Sequence, residues 1–226
     1  YQDMQQFTFA LAHDLKNSLT KLKLSLTLLK EEEIPPSINN YIQIIHRSAD
    51  RLETIMLSLN KIIEVGDSSP HVVKNISPAL VFSDAYDEFS DTIEMNEAFV
   101  NTDFTGIGEL NYIEVYLKSI FTNLLSNAIK YSSPERPLYL TILATQKEDK
   151  AIFTFTDNGQ GIDLEKFGNK LFLPFTRFSS NTDGSGVGLY LIKNIAERNG
   201  GSIEVESTPG KGSSFTVTIR EYKLPV

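Results

Sequence analysis

Three short segments in the second half of this 226-residue chain carry residue types suited to a phosphorylated, nitrogen-rich ligand. The first is Asn123-Leu-Leu-Ser-Asn127-Ala-Ile-Lys130-Tyr131, which reads as the end of a helix. Asn123, Asn127 and Lys130 follow one another by helical turns and so project from a single face. Two carboxamides and an ammonium on one face suit an Mg²⁺-polyphosphate, with oxygen ligands for a hard cation and positive charge for the phosphates. The same spacing also suits the polar face of an exposed helix. The second segment, Asp157-Asn-Gly159-Gln-Gly161, follows an apolar run. A carboxylate at a strand end can accept a hydrogen bond from an exocyclic amine such as that of adenine, and glycines let backbone approach a ligand closely. Asp-Asn-Gly is equally ordinary turn chemistry. The third, Gly184-Ser-Gly186-Val-Gly188-Leu189, opens a helix. Its exposed amides and the helix dipole favour an anion, for which phosphate is the natural guest. It is neither the phosphate-loop nor the dinucleotide pattern, because no Gly-Lys-Ser/Thr follows and no first strand directly precedes it. Between the two glycine clusters, residues 162–183 have the length of an active-site loop. Within it Phe172, Phe175 and Phe178 are candidate apolar plugs or plain packing, and Arg177 is a candidate phosphate contact.

The elements that must position these groups fall into two parts. In the first, Ala12, Leu15, Leu19, Leu22, Leu26 and Leu29 step by threes and fours, and so do Ile38, Ile42, Ile45, Ala49, Leu52, Met56, Leu59 and Ile63. Such steps mark the apolar seam of helices packed nearly parallel or antiparallel. Pro35 and Pro36 stop the first helix and Ser37 can cap the second. Residues 1–66 are therefore expected to form an antiparallel helical hairpin whose long apolar stripe needs a second copy to complete a four-helix bundle. Residues 67–75, around Gly66 to Pro70, read as a linker or hinge, and 76–226 as a second domain. There the patterns predict helices over 78–95, 111–131 and 187–198, and strands over 138–144, 151–156, 202–206 and 214–219. Helices on one face of a mixed sheet make an α+β sandwich.

Composition excludes several classes. Lys and Arg number 21 against 29 Asp and Glu, a net charge of -8 that argues against nucleic acid as a partner. With no cysteine, disulfides, thiolate metal sites and a cysteine nucleophile are out. His13, His46 and His71 have no zinc-protease spacing. No apolar run reaches the roughly 20 residues that span a bilayer, so the chain is expected to be a soluble piece. It begins inside an apparent helix without an initiator Met, and is read as excised from something longer.

Taken together, the order, spacing and placement of the three segments resemble the Bergerat-type ATP-binding fold, specifically the catalytic domain of sensor histidine kinases. Asn123 to Tyr131 is similar to the family's Asn box and Asp157 to Gly161 to its first glycine box. Phe172-Leu-Pro-Phe175 and Gly184 to Leu189 are similar to its phenylalanine and second glycine boxes. The resemblance implies that Asp157 binds adenine and that Asn127, helped by Asn123, holds Mg²⁺. It further implies that Lys130 meets phosphate and that Tyr131 lines the base.

His13-Asp14-Leu-Lys-Asn17 on the first helix then resembles the histidine box of the same family, with His13 beside the seam as phosphoacceptor. Imidazole is largely unprotonated at neutral pH. Asp14 can take or hold the Nδ1 proton, leaving Nε2 free to attack the γ-phosphate. Asn17, one turn from His13, is the residue the family uses to position water for dephosphorylating its partner. The family's usual proline five residues after the histidine is Ser18 here, so weaker helix bending and a changed autophosphorylation rate are expected. The resemblance implies ATP and Mg²⁺ as cofactors, a homodimer, a response-regulator partner, and a sensor domain beyond this chain. It also implies a location on the cytoplasmic side in proteins that are often membrane-anchored. A catalytically inactive nucleotide-binding or dimerisation scaffold is the alternative to a kinase, and phosphotransfer to His13 separates the two.

Overall fold

A computed structural model describes residues 19–27, 36–66, 72–176 and 186–223. Their contacts divide the chain into two units, Tyr1–Ser68 and Ser69–Val226.

In the first unit, helix α1 covers 19–27 and helix α2 spans Pro36–Gly66. Leu19 packs with Ala49 and Met56. One turn on, Lys23 Nζ meets Asp50 Oδ1 at 2.7 Å and Glu53 Oε2 at 2.5 Å. These contacts hold α1 against the central turns of α2. The apolar seam of α2 splits into two sets with the seven-residue period. Ile42, Ala49 and Met56 are buried, whereas Ile38, Ile45 and Leu52 stay 48%, 44% and 51% exposed. Leu22 is likewise exposed between the buried Leu19 and Leu26. Among the described residues, one hairpin thus covers only about half of the apolar stripe.

The second unit carries a five-stranded sheet in the order β2-β4-β5-β7-β6 and a two-stranded ribbon, β1-β3. The strands are β1 (Lys74–Ile76), β2 (Phe99–Gly106), β3 (Leu110–Tyr112), β4 (Tyr139–Lys147), β5 (Lys150–Asp157), β6 (Ser202–Thr208) and β7 (Gly212–Arg220). β2 runs parallel to β4, and every other pair is antiparallel. Alternation decides the faces. Leu140, Ile142 and Ala144, Phe153 and Phe155, and Val217 and Ile219 are buried, while the intervening threonines point away. The helices α3 (Pro78–Asp87), α4 (Ser90–Met95), α5 (Glu114–Lys130), α6 (Leu164–Phe167) and α7 (Gly188–Arg198) complete the unit. α5 lies between α3 and α7. Its Leu117, Ile120, Phe121, Leu124 and Leu125 are buried, and Phe121 meets Phe82 and Phe153 edge-on at 5.6 and 5.1 Å.

Several boundaries differ from the sequence pattern. Asn111 belongs to β3 rather than to the helix, and α5 begins at Glu114. Lys74 and Asn75, in the expected linker, pair with Tyr112 and Asn111. The single helix expected over 78–95 is broken into α3 and α4. β2 has no sequence signal of its own. It is an edge strand whose only half-buried residues are Val100 and Phe104, four apart, so it shows no alternation. No helix among the described residues is long and apolar enough to cross a membrane.

Candidate functional site

The last two turns of α5, the end of β5, the turn after it and the start of α7 enclose a cavity of about 230 Å³. Burying one face of α5 against the sheet leaves Asn123, Asn127 and Lys130 half-buried along the cavity side. Asn123 is fixed there, because its Nδ2 donates to the Ser119 carbonyl at 2.7 Å. Its Oδ1 consequently faces the first residue of α7, at 2.6 Å from where a Cβ on Gly188 would stand. While the Asn123 carboxamide keeps this position, only glycine fits at the start of α7. Lys130 Nζ leans over the Tyr131 ring at 5.1 Å from its centroid, so cation and ring share the cavity's rim.

Asp157 ends β5 with its carboxylate half-buried. Burial raises its pKa above the usual 3.8, while the backbone amides of Gly159 and Ser213 pull it back down. The Gly159 N–H reaches Oδ1 at 2.8 Å, closing an Asx turn. Gly159 itself sits under the end of α5. A Cβ there would lie 2.5 Å from the Tyr131 carbonyl, so the turn can pass only as backbone. Gln160 strengthens the same junction, its N–H donating to the Tyr131 carbonyl and its Nε2 to that of Ser132, both at 2.9 Å. A carboxylate supplied with two backbone donors is held with one lone-pair edge toward the cavity. It is chemically matched to an amine donor on a flat base. The carboxamides and the ammonium 7 residues further along α5 than Asn123 are matched to a cation and to phosphate oxygens.

Of the residues singled out by sequence, Asn123, Asn127, Lys130, Tyr131, Asp157, Gly161, Gly186, Gly188 and Leu189 line this one cavity. Gly159 is not among the lining residues, but its N–H bonds to the lining carboxylate of Asp157. Phe172 and Phe175 do not line it. Phe175 is 47% exposed, and Leu171 supplies the wall instead. The turns around 168–175 direct Leu171 inward, and apolar spacing alone could not choose among five consecutive apolar and proline residues. His13, Asp14, Asn17, Arg177 and Gly184 lie outside the described residues. Sequence reasoning missed Ser213, buried at the start of β7, whose signal is its register directly opposite Asp157. It also missed Arg136, which touches three backbone carbonyls of this region and has no motif around it.

Two family models match the chain. "His Kinase A (phospho-acceptor) domain" covers residues 3–61, and "Histidine kinase-, DNA gyrase B-, and HSP90-like ATPase" covers residues 113–223. The circadian input-output histidine kinase CikA of Synechococcus elongatus is 31% identical over 97% of this chain and 30% of its own length. The sensor histidine kinase RppB of Synechocystis is 28% identical over 100% of this chain and 51% of its own. Among solved structures, full-length ShkA in complex with AMPPNP superposes with a TM-score of 0.73 at 17% identity, over 98% of this chain and 47% of that one. The catalytic domain of the histidine kinase ThkA reaches 0.57 at 22% identity, over 66% of this chain and 98% of that one. At these identities the structural likeness establishes the fold. The chain spans from 30% to 51% of the length of these two curated relatives.

Proposed function

The chain belongs to the sensor histidine kinases of two-component systems, and on that premise we propose that it is a kinase core that phosphorylates its own His13 from Mg-ATP and passes the group to an aspartate of a response regulator. The observation that carries this is the convergence of Asn123, Asn127, Lys130, Asp157 and the glycine-led start of α7 on one cavity.

Asp157 accepts a hydrogen bond from the adenine amine, and Tyr131 lines the base. Lys130 meets phosphate, as do the amides that open α7 at Gly186, Gly188 and Leu189. Gly161 keeps the base-side turn close to the nucleotide. Arg177 and Gly184 are assigned to the phosphates, and Leu171 walls the nucleotide in place of the expected Phe172 and Phe175. The donor chemistry fits Mg²⁺. The bond of its Nδ2 to Ser119 leaves Asn123 Oδ1 available, and with Asn127 one turn on the two would offer neutral oxygens to a hard cation. When bound, that ion supplies neutralisation of phosphate charge.

On the hairpin, Asp14 holds the Nδ1 proton of His13 so that Nε2 carries the lone pair. Nε2 bonds to the γ-phosphorus as the bond to the β-bridging oxygen breaks, ADP departs, and the Nδ1 proton passes to Asp14. Asn17 orients water for the reverse duty, dephosphorylation of the partner. The uncovered Ile38, Ile45 and Leu52 support a homodimer closed as a four-helix bundle. The expected domain limits of 1–66, 67–75 and 76–226 accompany this assignment, except that β1, which starts at Lys74, makes residues 74 and 75 part of the second domain rather than of the linker.

The test is incubation with ATP radiolabelled on the γ-phosphate and Mg²⁺, alongside His13→Gln and Asp157→Asn. Acid-labile, base-stable label on the wild type and on neither variant is the expected result. Wild type that binds ATP yet neither takes label nor dephosphorylates a phosphorylated regulator would refute the kinase assignment.

A further inference from the structure

Arg136 lies in the loop between α5 and β4, outside every motif of the site, yet its guanidinium is spent on backbone around Asp157. Nε donates to the Asn158 carbonyl at 2.8 Å. One terminal nitrogen donates to the carbonyls of Gly159 at 3.1 Å and Gly210 at 2.6 Å. Of the two turns these carbonyls belong to, the first supplies one hydrogen bond to the Asp157 carboxylate, and the second leads into the β7 residue that supplies the other. Gly159 gives its own N–H to the carboxylate, and Gly210 sits in the hairpin turn between β6 and β7, three residues before Ser213, the other donor. The turns are also bonded to each other, through the Gly210 N–H to the Gln160 carbonyl at 2.6 Å. Ser207 Oγ completes the connection, receiving the Ile162 N–H and donating to the Gly212 carbonyl, both at 2.8 Å. Arg136 is the charged member of this network, and hydrogen bonds from a fixed planar cation are stronger than neutral ones and hold direction better.

We infer that Arg136 is a positioning residue for base recognition: by clamping the carbonyls of residues 158, 159 and 210 it fixes the two amide donors that aim the Asp157 carboxylate. The inference rests on the assignment of Asp157 to the adenine amine. It makes a claim that assignment does not make, namely that selectivity for the amino-bearing base depends on a side chain that never touches nucleotide. A neutral or shorter side chain leaves three carbonyls to water and lets both turns relax, so the carboxylate loses its aim while the phosphate-binding elements on α5 and α7 keep theirs.

The experiment measures equilibrium binding of ATP and of inosine triphosphate, which lacks the exocyclic amine, to wild type, Arg136→Gln and Arg136→Lys, with thermal unfolding of each. The expected result is that Arg136→Gln weakens ATP on the order of tenfold, as loss of charge-assisted bonds in one network implies. Inosine triphosphate is expected to change about twofold or less, and Arg136→Lys to recover part of the ATP loss. Equal weakening of both nucleotides would assign Arg136 a merely structural role and overturn the inference, as would unchanged ATP binding. Should Arg136→Gln unfold, the lysine variant carries the same comparison. Wild type that binds both nucleotides equally would remove Asp157 from base recognition, an outcome distinguishable from failure of the arginine alone.

Discussion

Replacing Gly188 by alanine separates the fold from metal binding within one methyl group. A Cβ at this position would stand 2.6 Å from Asn123 Oδ1, about 0.8 Å short of the 3.4 Å at which ordinary contact begins. The remaining neighbours, Asn123 Cγ at 3.4 Å and Cβ at 3.7 Å, tolerate the methyl, so the carboxamide must yield and the backbone need not. Swinging it away gives up the 2.7 Å bond to the Ser119 carbonyl, a loss of about 0.5–1.5 kcal/mol. Alanine returns up to about 1 kcal/mol of helix propensity, less at a first helical position such as this one. Net stability should therefore move by about 1 kcal/mol or less, which for a unit of this size is at most a few degrees in Tm. The oxygen proposed to face Mg²⁺ is nonetheless displaced. ADP affinity measured by calorimetry should fall about tenfold in the presence of Mg²⁺, equivalent to about 1.4 kcal/mol, and much less in EDTA. Asn123→Ala should reproduce the pattern. A loss of equal size with and without Mg²⁺ would place the damage at the phosphate-binding amides of α7. Affinity unchanged in both variants would remove Asn123 from the metal site.

Three other perturbations test separate parts of the structure. Because burial raises the pKa of Asp157 above 3.8, protonation on acidification begins at a higher pH than for an exposed carboxylate. Nucleotide affinity should thus fall as pH drops through that raised value, with a midpoint above 3.8, and the step should be absent in Asp157→Asn. Tyr112 is buried at 1% exposure and its hydroxyl has no hydrogen-bond partner among the described residues, so Tyr112→Phe should raise Tm by about 2–4 °C in thermal unfolding. Ile45→Asp should shift the chain from dimer to monomer in sedimentation without unfolding the second unit, since Ile45 is 44% exposed on a single hairpin. A variant that stays dimeric would place the interface elsewhere.

The alternation of β4, β5 and β7 and the seams of the hairpin were readable because each follows from one-dimensional periodicity. A residue two or seven positions along meets the same environment, and the sequence records that directly. Asn123 with Asn127, Asp157 with Gly159, and Gly186 with Gly188 were readable for a related reason. Each pair is tied by local geometry, a helical turn or a tight loop, before any tertiary contact forms. Tertiary structure decided what depends on partners distant in the chain. β2 becomes a strand by lying parallel to β4, although β3 and α5 separate them in the chain, and nothing in its own apolar pattern calls for that pairing. Leu171 faces the cavity and Phe175 faces outward because of how the turns fold back on the sheet, although both are large and apolar. Arg136 reaches Gly210, 74 residues away, only after the β6–β7 turn has been laid beside the end of β5. Chemistry carried by residue type and short spacing was thus legible along the chain. The orientation of that chemistry is set by hydrogen bonds and packing between segments that the sequence keeps far apart.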